Sequence, residues 1–259
     1  MTIERTTLRI AAVADVHARK TSQGAFHTLF TQATEAADVM LLCGDLTDYG
    51  SPEEARVLAK EITTSLRIPA IGVLGNHDYE SGNDGEIVKI LTDAGVTMLN
   101  GDTTELHGVG FAGVKGFGGG FGRRALGAWG EKIIKDFVHE AIEEALKLEA
   151  ALARLRTPQK IGVLHYSPIQ ATVAGEPLEI VAFLGSSRLE EPLDRYRVTA
   201  VFHGHAHRGS LEGRTKGNAP VYNVAMPLLL ANFPDRAPFR VIEVPINVGH
   251  ALSLSEATS

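Results

Sequence analysis

Three histidines alternate in the stretch His203-Gly204-His205-Ala206-His207. Crowding imidazoles this closely is costly unless a metal ion or an anion organises them, and neutral imidazole is the commonest protein metal ligand. Other groups of the same chemistry lie elsewhere in the chain: Asp15-Val16-His17, Gly44-Asp45-Leu46-Thr47-Asp48, Gly75-Asn76-His77-Asp78, and His165. Taken singly each has an ordinary explanation. Asp45 and Asp48 could cap a turn, Asp-x-His pairs occur in many loops, and a lone histidine such as His165 is commonly a satisfied structural residue. The alternating histidines shift the balance for all of them. The pooled donors are imidazole nitrogen and carboxylate or amide oxygen, with no thiolate, which suits Mn, Fe or Zn in a catalytic site and disfavours iron–sulfur clusters. Seven of them, Asp15, His17, Asp45, Asn76, His165, His205 and His207, already exceed what one open catalytic zinc uses. They match two ions about 3.5–4 Å apart that share a carboxylate and clamp an in-line displacement at phosphorus.

The elements that must position these residues show the same logic. Five short apolar runs each end in a donor: Leu8 to Ala14 into Asp15, Val39 to Cys43 into Gly44-Asp45, and Ala70 to Leu74 into Gly75-Asn76. The other two are Ile161 to Leu164 into His165 and Thr199 to Phe202 into His203. Their length and their Val and Ile content predict buried strands. Helical patterns separate the early runs, at Phe26 to Ala37 and at Pro52 to Leu66, the latter with Ser51 as N-cap and Pro52 in the first turn. The βαβαβ alternation predicts an α/β fold with a ligand site beyond the carboxyl ends of the strands. At the first of these ends, extended backbone would turn Asp15 and His17 to the same side.

The middle of the chain is different. Gly116 to Gly122 (GFGGGFG) is a loop that matches neither a phosphate-binding loop nor a dinucleotide fingerprint. A helix over about 131–155 follows, with apolar residues at three- and four-residue steps. It is expected to pack on the sheet, with a lid or a homodimer contact as the other readings. Arg123 and Arg124 beyond the glycine loop, Tyr166, and Ser186-Ser187-Arg188 are lesser candidates for substrate contact. His27, His107, His139 and His250 are expected to be surface or packing residues, and the segment from Gly249 a frayed tail.

Composition sets the outer bounds. The chain has 259 residues, 44% hydrophobic and 22% charged, which suits a single globular domain. The net charge of −6 gives no nucleic-acid signal, although bound cations can reverse the local field for a phosphate substrate. One cysteine, Cys43, excludes an internal disulfide framework. The start, Met1 to Arg9, lacks the features of a signal peptide and no apolar run is long enough to span a membrane, so a cytoplasmic enzyme is the expectation.

The five blocks in this order resemble the calcineurin-like metallophosphoesterases, over about residues 8–225. The Gly-Asp-Leu-Thr-Asp and Gly-Asn-His-Asp versions are most similar to the class III cyclic-nucleotide phosphodiesterase branch. The resemblance implies a two-sheet α/β/β/α sandwich in one domain spanning 1–259, with the glycine loop and long helix as an insertion at about 116–156. It implies that Asp15, His17, Asp45 and His207 hold a first metal, that Asn76, His165 and His205 complete a second, and that Asp45 bridges. His77 would stabilise the phosphoryl oxygens or protonate the leaving alkoxide, and Asn76 would also face the substrate. Asp48 and Asp78 would orient histidines. His203 falls outside the pattern and is expected to touch substrate. Phosphoprotein phosphatases of the family carry an arginine where this chain has Tyr49, which argues against that substrate class. The implied reaction is hydrolysis of a small phosphodiester, such as a cyclic nucleotide, by a metal-bridging hydroxide. The alternatives are a phosphomonoesterase on a small metabolite and a non-catalytic metal-binding scaffold; the intact donor set disfavours the last.

Overall fold

The computed structural model describes residues 6–246. His250, the tail from Gly249 and the first five residues of the chain lie outside the described residues. Among the described residues eleven strands follow one another as β1 (Thr7–Val13), β2 (Val39–Cys43), β3 (Ala70–Val73), β4 (Val96–Met98), β5 (Asp102–Leu106), β6 (Val109–Gly113), β7 (Gln159–Val163), β8 (Ala200–His203), β9 (Glu212–Arg214), β10 (Pro220–Asn223) and β11 (Arg240–Pro245). The α-helices are α1 (His27–Ala36), α2 (Pro52–Ser65), α3 (Asp84–Asp93), α4 (Lys132–Arg154), α5 (Glu190–Arg195) and α6 (Met226–Asn232).

The strands form two sheets, ordered β11-β1-β2-β3-β4 and β5-β6-β7-β8-β10-β9. The central pairings are parallel, and β11, β5 and β9 run antiparallel at the edges. Side chains alternate along every central strand, so each sheet has two apolar faces. Leu8, Ile10 and Ala12 of β1 meet Phe111 of β6, Val163 of β7 and Phe202 of β8 in a core between the sheets. The intervening residues Ala11 and Val13 face outward into a second core with Phe30 of α1, Leu58 of α2 and Leu91 of α3. On the far side of the other sheet, Ala112 and Val201 pack with Leu148 and Leu152 of α4 and Leu193 of α5. The layers are therefore helix, sheet, sheet, helix. This is the expected sandwich.

The expected strands and helices fall within two residues of those observed. The cap at Ser51 is a full capping box: its hydroxyl accepts from the Glu54 amide at 3.3 Å while Glu54 accepts from the Ser51 and Tyr49 amides. This box also anchors the loop that carries Asp48. The long helix packs Leu148, Ala151 and Leu152 against the second sheet, as its periodicity predicts, and buries Val138 and Ala141 nearer its start. Among the described residues no helix is long and apolar enough to cross a membrane.

Candidate metal centre

The parallel strands of both sheets end at one rim, and backbone hydrogen bonds join those ends across the sandwich. Ala14 at the end of β1 bonds through its amide to Val224 O and through its carbonyl to the Met226 amide, each at 2.9 Å, tying the first sheet to the second. Asp15 N donates to Gly44 O at 2.9 Å, and Gly204 N donates to His165 O at 3.1 Å. Four of the five expected strand-end blocks are thereby linked directly, before any side chain is considered.

At this rim the side chains converge. Asp15, His17 and His207 form one group whose donor atoms lie within 4.8 Å of one another, and Asp45, His165 and His205 form another. Asp45 stands between them. One of its oxygens lies 3.9 Å from His17 Nε2 and the other 3.3 Å from His165 Nε2. Asn76 adds its amide oxygen, 2.9 Å from His165 Nε2. All seven expected donors thus come together. His77, too, has donor atoms within the same reach of His17 and Asp45, so it stands directly at the centre.

Backbone held in unusual conformations makes this convergence possible. Of the seven non-glycine residues with left-handed φ among the described residues, four are donors: Asp15 (56°), His17 (42°), Asp45 (49°) and His205 (69°). Each such residue costs about 1–3 kcal/mol, so the strain is concentrated where the donors gather. The expectation that extended backbone brings Asp15 and His17 to one side is thereby corrected. Left-handed turns do it, since a strand continuing past Val13 would carry His17 away from the rim. Glycine is needed here for a second reason. A Cβ on Gly44 would strike the His165 ring, one on Gly75 the Asp45 carboxylate, and one on Gly204 the Asp15 carboxylate, each closer than 3.0 Å.

Neighbouring groups fix the rings. The Nδ1–H of His165 donates to Cys43 O at 3.0 Å, which leaves Nε2 facing the centre. His205 donates from Nε2 to Phe183 O at 3.2 Å, leaving Nδ1. Its backbone amide donates to Asp15 Oδ2 at 2.9 Å. Asp48 lies 3.3 Å from His17 Nδ1 and accepts from Arg19 Nε at 2.7 Å, so it is placed to orient His17. His77 donates from Nδ1 to Asp48 O at 2.7 Å and from its backbone amide to Asp45 Oδ1 at 2.8 Å.

Two expectations are corrected. Asp78 orients no histidine. It is fully buried and accepts from the amides of Leu46, Thr47 and Gly75 and from the Thr47 hydroxyl, clamping the Asp45 loop to the Asn76 loop. Burial, aided by the nearby Asp45 charge, raises its pKa to about 6 against these hydrogen bonds. His203 is not placed to touch substrate: it is fully buried, with Nδ1 on Gly204 O and Nε2 on Thr172 Oγ1, both at 2.8 Å. A histidine ending a central strand alternates inward, away from the rim that its neighbour His205 reaches by a turn.

The electrostatics suit cations. Burial lowers the pKa of His17 and takes that of His205 to about 4, so these rings are neutral and able to ligate near pH 7. Burial also opposes charge on Asp45 and His165, but their mutual attraction outweighs it, holding the carboxyl well below its usual range and the imidazole up to about 9. An ion taking the same lone pair would displace that proton. Both ring nitrogens of His17 are buried without a hydrogen-bond partner. A buried imidazole left in this state costs free energy unless something else accepts its lone pair, and a metal ion does so. The residues present therefore fit a metal.

The sequence reading missed Arg19, which holds Asp48, and the buried network of Thr172, Asn223 and His203 behind the rim. Tyr166, a candidate for substrate contact, packs its ring 4.4 Å from that of His205 and 5.5 Å from that of His165, centroid to centroid. Arg123 and Arg124 are exposed on a short turn. Arg188 bonds to Leu126 O, just past the glycine loop, at 2.8 Å.

Comparison with known proteins agrees with this geometry. No curated relative matches the chain significantly. Among solved structures, the phosphopantetheinyl hydrolase of Mycobacterium tuberculosis is similar at 14% identity and a TM-score of 0.65, over 90% of this chain and 95% of that one. The protein TT1561 of Thermus thermophilus matches at 15% identity and a TM-score of 0.54, over 93% and 100% of the two chains. A putative 5′-nucleotidase from Staphylococcus aureus matches at 16% identity and a TM-score of 0.51, over 84% of this chain and 48% of that one. At these identities the likeness is one of fold. The calcineurin-like phosphoesterase description matches residues 8–209, most of the chain and every strand-end block, and the chain belongs to that family.

Proposed function

We propose that the protein hydrolyses a small phosphodiester, a cyclic nucleotide being the favoured class as in the class III phosphodiesterase branch, at a dinuclear metal centre. The observation that carries this reading is the place of Asp45, whose two oxygens face different donor groups. Asp15, His17 and His207 would hold one ion with Asp45, and Asn76, His165 and His205 the other. Bound there, two ions supply Lewis acidity at the phosphoryl oxygens and activate the attacking water.

The chain's own residues do the rest. Asp48, held by Arg19, keeps the His17 ring in register, and Asp78 fixes the two loops that carry Asp45 and Asn76. His77 has Nδ1 committed to Asp48 O, which leaves Nε2 of this part-exposed side chain without a hydrogen-bond partner among the described residues. From there it protonates the departing alkoxide, the role of an imidazole held beside the leaving group. A diester carries less charge than a monoester and asks for fewer cationic side chains. Consistent with that, Tyr49 is exposed where an arginine would grip phosphate, and Arg19 is tied to Asp48. Turnover of bis(p-nitrophenyl) phosphate and p-nitrophenyl phosphate by Mn²⁺-loaded protein tests the reading. Preference for the diester is expected; clear preference for the monoester would contradict it.

A further inference from the structure

A sixth strand, β6, also ends at the rim, and past its last residue Gly113 the chain reaches Lys115. The Lys115 amine points into a cavity of about 570 Å³ whose wall includes Asn76, Tyr79, Asn100, Phe117 and Tyr166. The cavity opens directly from the metal centre. Asn76 is a donor there, and the Tyr166 ring lies against His205 and His165.

Lys115 is half-buried, and its Nζ lies 5.5, 4.7 and 5.3 Å from the ring centroids of Tyr79, Phe117 and Tyr166. Its single hydrogen bond goes to the carbonyl of its own neighbour, Gly116, at 2.9 Å. Among the described residues no carboxylate lies within 4.0 Å of it. The acid best placed to pair with it, buried Glu144, is already bonded to Lys147 Nζ and to the Gly116 amide, each at 2.7 Å. Glu140 is exposed and Asp84 lies at the start of α3. Burial pulls the Lys115 pKa below its ordinary value, against the attraction of Glu144 and Glu140. Aromatic faces attract an ammonium but fill none of its N–H donors. A half-buried cation with N–H donors unfilled and no carboxylate in direct contact, Glu144 and Glu140 acting on it only from a distance, is a cost the fold carries for a partner it does not itself contain.

We propose that this cavity is the subsite for the part of the substrate beyond the reacting phosphate, and that Lys115 there receives a second anionic group, a phosphate or a carboxylate. The inference rests on the preceding reading only in placing the reacting phosphate at the donor groups. The aromatic walls accept an apolar or planar spacer between the two anions, and because Asp84, Glu140 and Glu144 line the same cavity, with Lys147 already bonded to Glu144, the second charge is confined to Lys115.

The test is calorimetric titration of the Mn²⁺-loaded protein with α,ω-alkanediol bisphosphates of increasing length, against the monophosphates of the same diols. At the matching length the bisphosphate should bind about 10- to 100-fold tighter, the range of a hydrogen bond to a charged group. Lys115→Met should remove that gain and Lys115→Arg should retain part of it. Phosphates carrying a terminal carboxylate distinguish the two sources of charge. Equal binding of bisphosphate and monophosphate at every length by the unaltered protein, or no binding of either, overturns the proposal whether or not a variant folds. A full gain in a folded, metal-loaded Lys115→Met protein overturns it too. The measurement needs no turnover, so a monoester preference in the p-nitrophenyl comparison leaves it standing.

Discussion

The histidines around Asp15 and those around Asp45 differ in their contact with water, while the two carboxylates are equally buried. The side chains of His207 and His17 are 39% and 18% exposed, whereas those of His165 and Asp45 are 0% and 1% exposed. The rings of the Asp45 group are also better held. His165 and His205 each donate to a backbone carbonyl, while His17 has only the approach of Asp48 and no hydrogen bond of its own. A dry set of fixed ligands pays less to organise around an ion than a wet, loosely held one. The Asp45 group should therefore load first, and the Asp15 group should exchange its ion more readily. Asp45 turns one oxygen toward His17 of the first group and the other toward His165 of its own, so on the proposed reading it would join the two into one unit rather than two neighbouring sites.

The largest effect is expected from removing that shared carboxylate. Asp45→Ala should lower metal content at both groups and abolish turnover, read by elemental analysis beside rate; a variant that still holds two ions would separate the groups. His77→Ala should keep its metal and lose about 10²–10⁴-fold in kcat, as for loss of a general acid. Retention of full rate would leave His77 a bystander. Asp48→Ala should act on one side only, weakening the more readily exchanged ion by about 10–100-fold, the usual loss on removing a group that orients a ligand. Equal weakening of both ions in a Mn²⁺ titration would break the asymmetry drawn above. The smallest effect at the centre is expected from Leu148→Ala in α4, which should cost about 2–5 kcal/mol of stability in chemical denaturation and leave metal stoichiometry unchanged.

How much of this was legible in the sequence follows from where each signal lies. The layers could be anticipated because β1, β2, β3, β7 and β8 are buried on both faces and appear as continuous apolar runs. Strands β5 and β9, by contrast, are short polar edge pieces (Asp102–Leu106 and Glu212–Arg214) and carry no such signature. The donors were legible because each follows an apolar run, so residue type and position agreed. Roles that depend on backbone direction were not. His203 and His205 differ by two positions, yet one is sealed against Thr172 and the other reaches the centre, because His205 takes left-handed φ. Asp78 resembles a ligand partner in sequence and proves to be a clamp on backbone amides, a role set by a loop contact some thirty positions away. Lys115 went unnoticed because β6 contains Gly110 and Gly113 and so falls short of an apolar run, although its end reaches the same rim.

The central claim is that Asp45 joins two ions into one centre. Electron paramagnetic resonance of the protein titrated with Mn²⁺ tests it most directly. The account predicts a magnetically coupled manganese pair at full loading, with elemental analysis finding two ions per chain. A fully loaded protein that holds one ion, or whose spectrum remains that of isolated Mn²⁺, would contradict it.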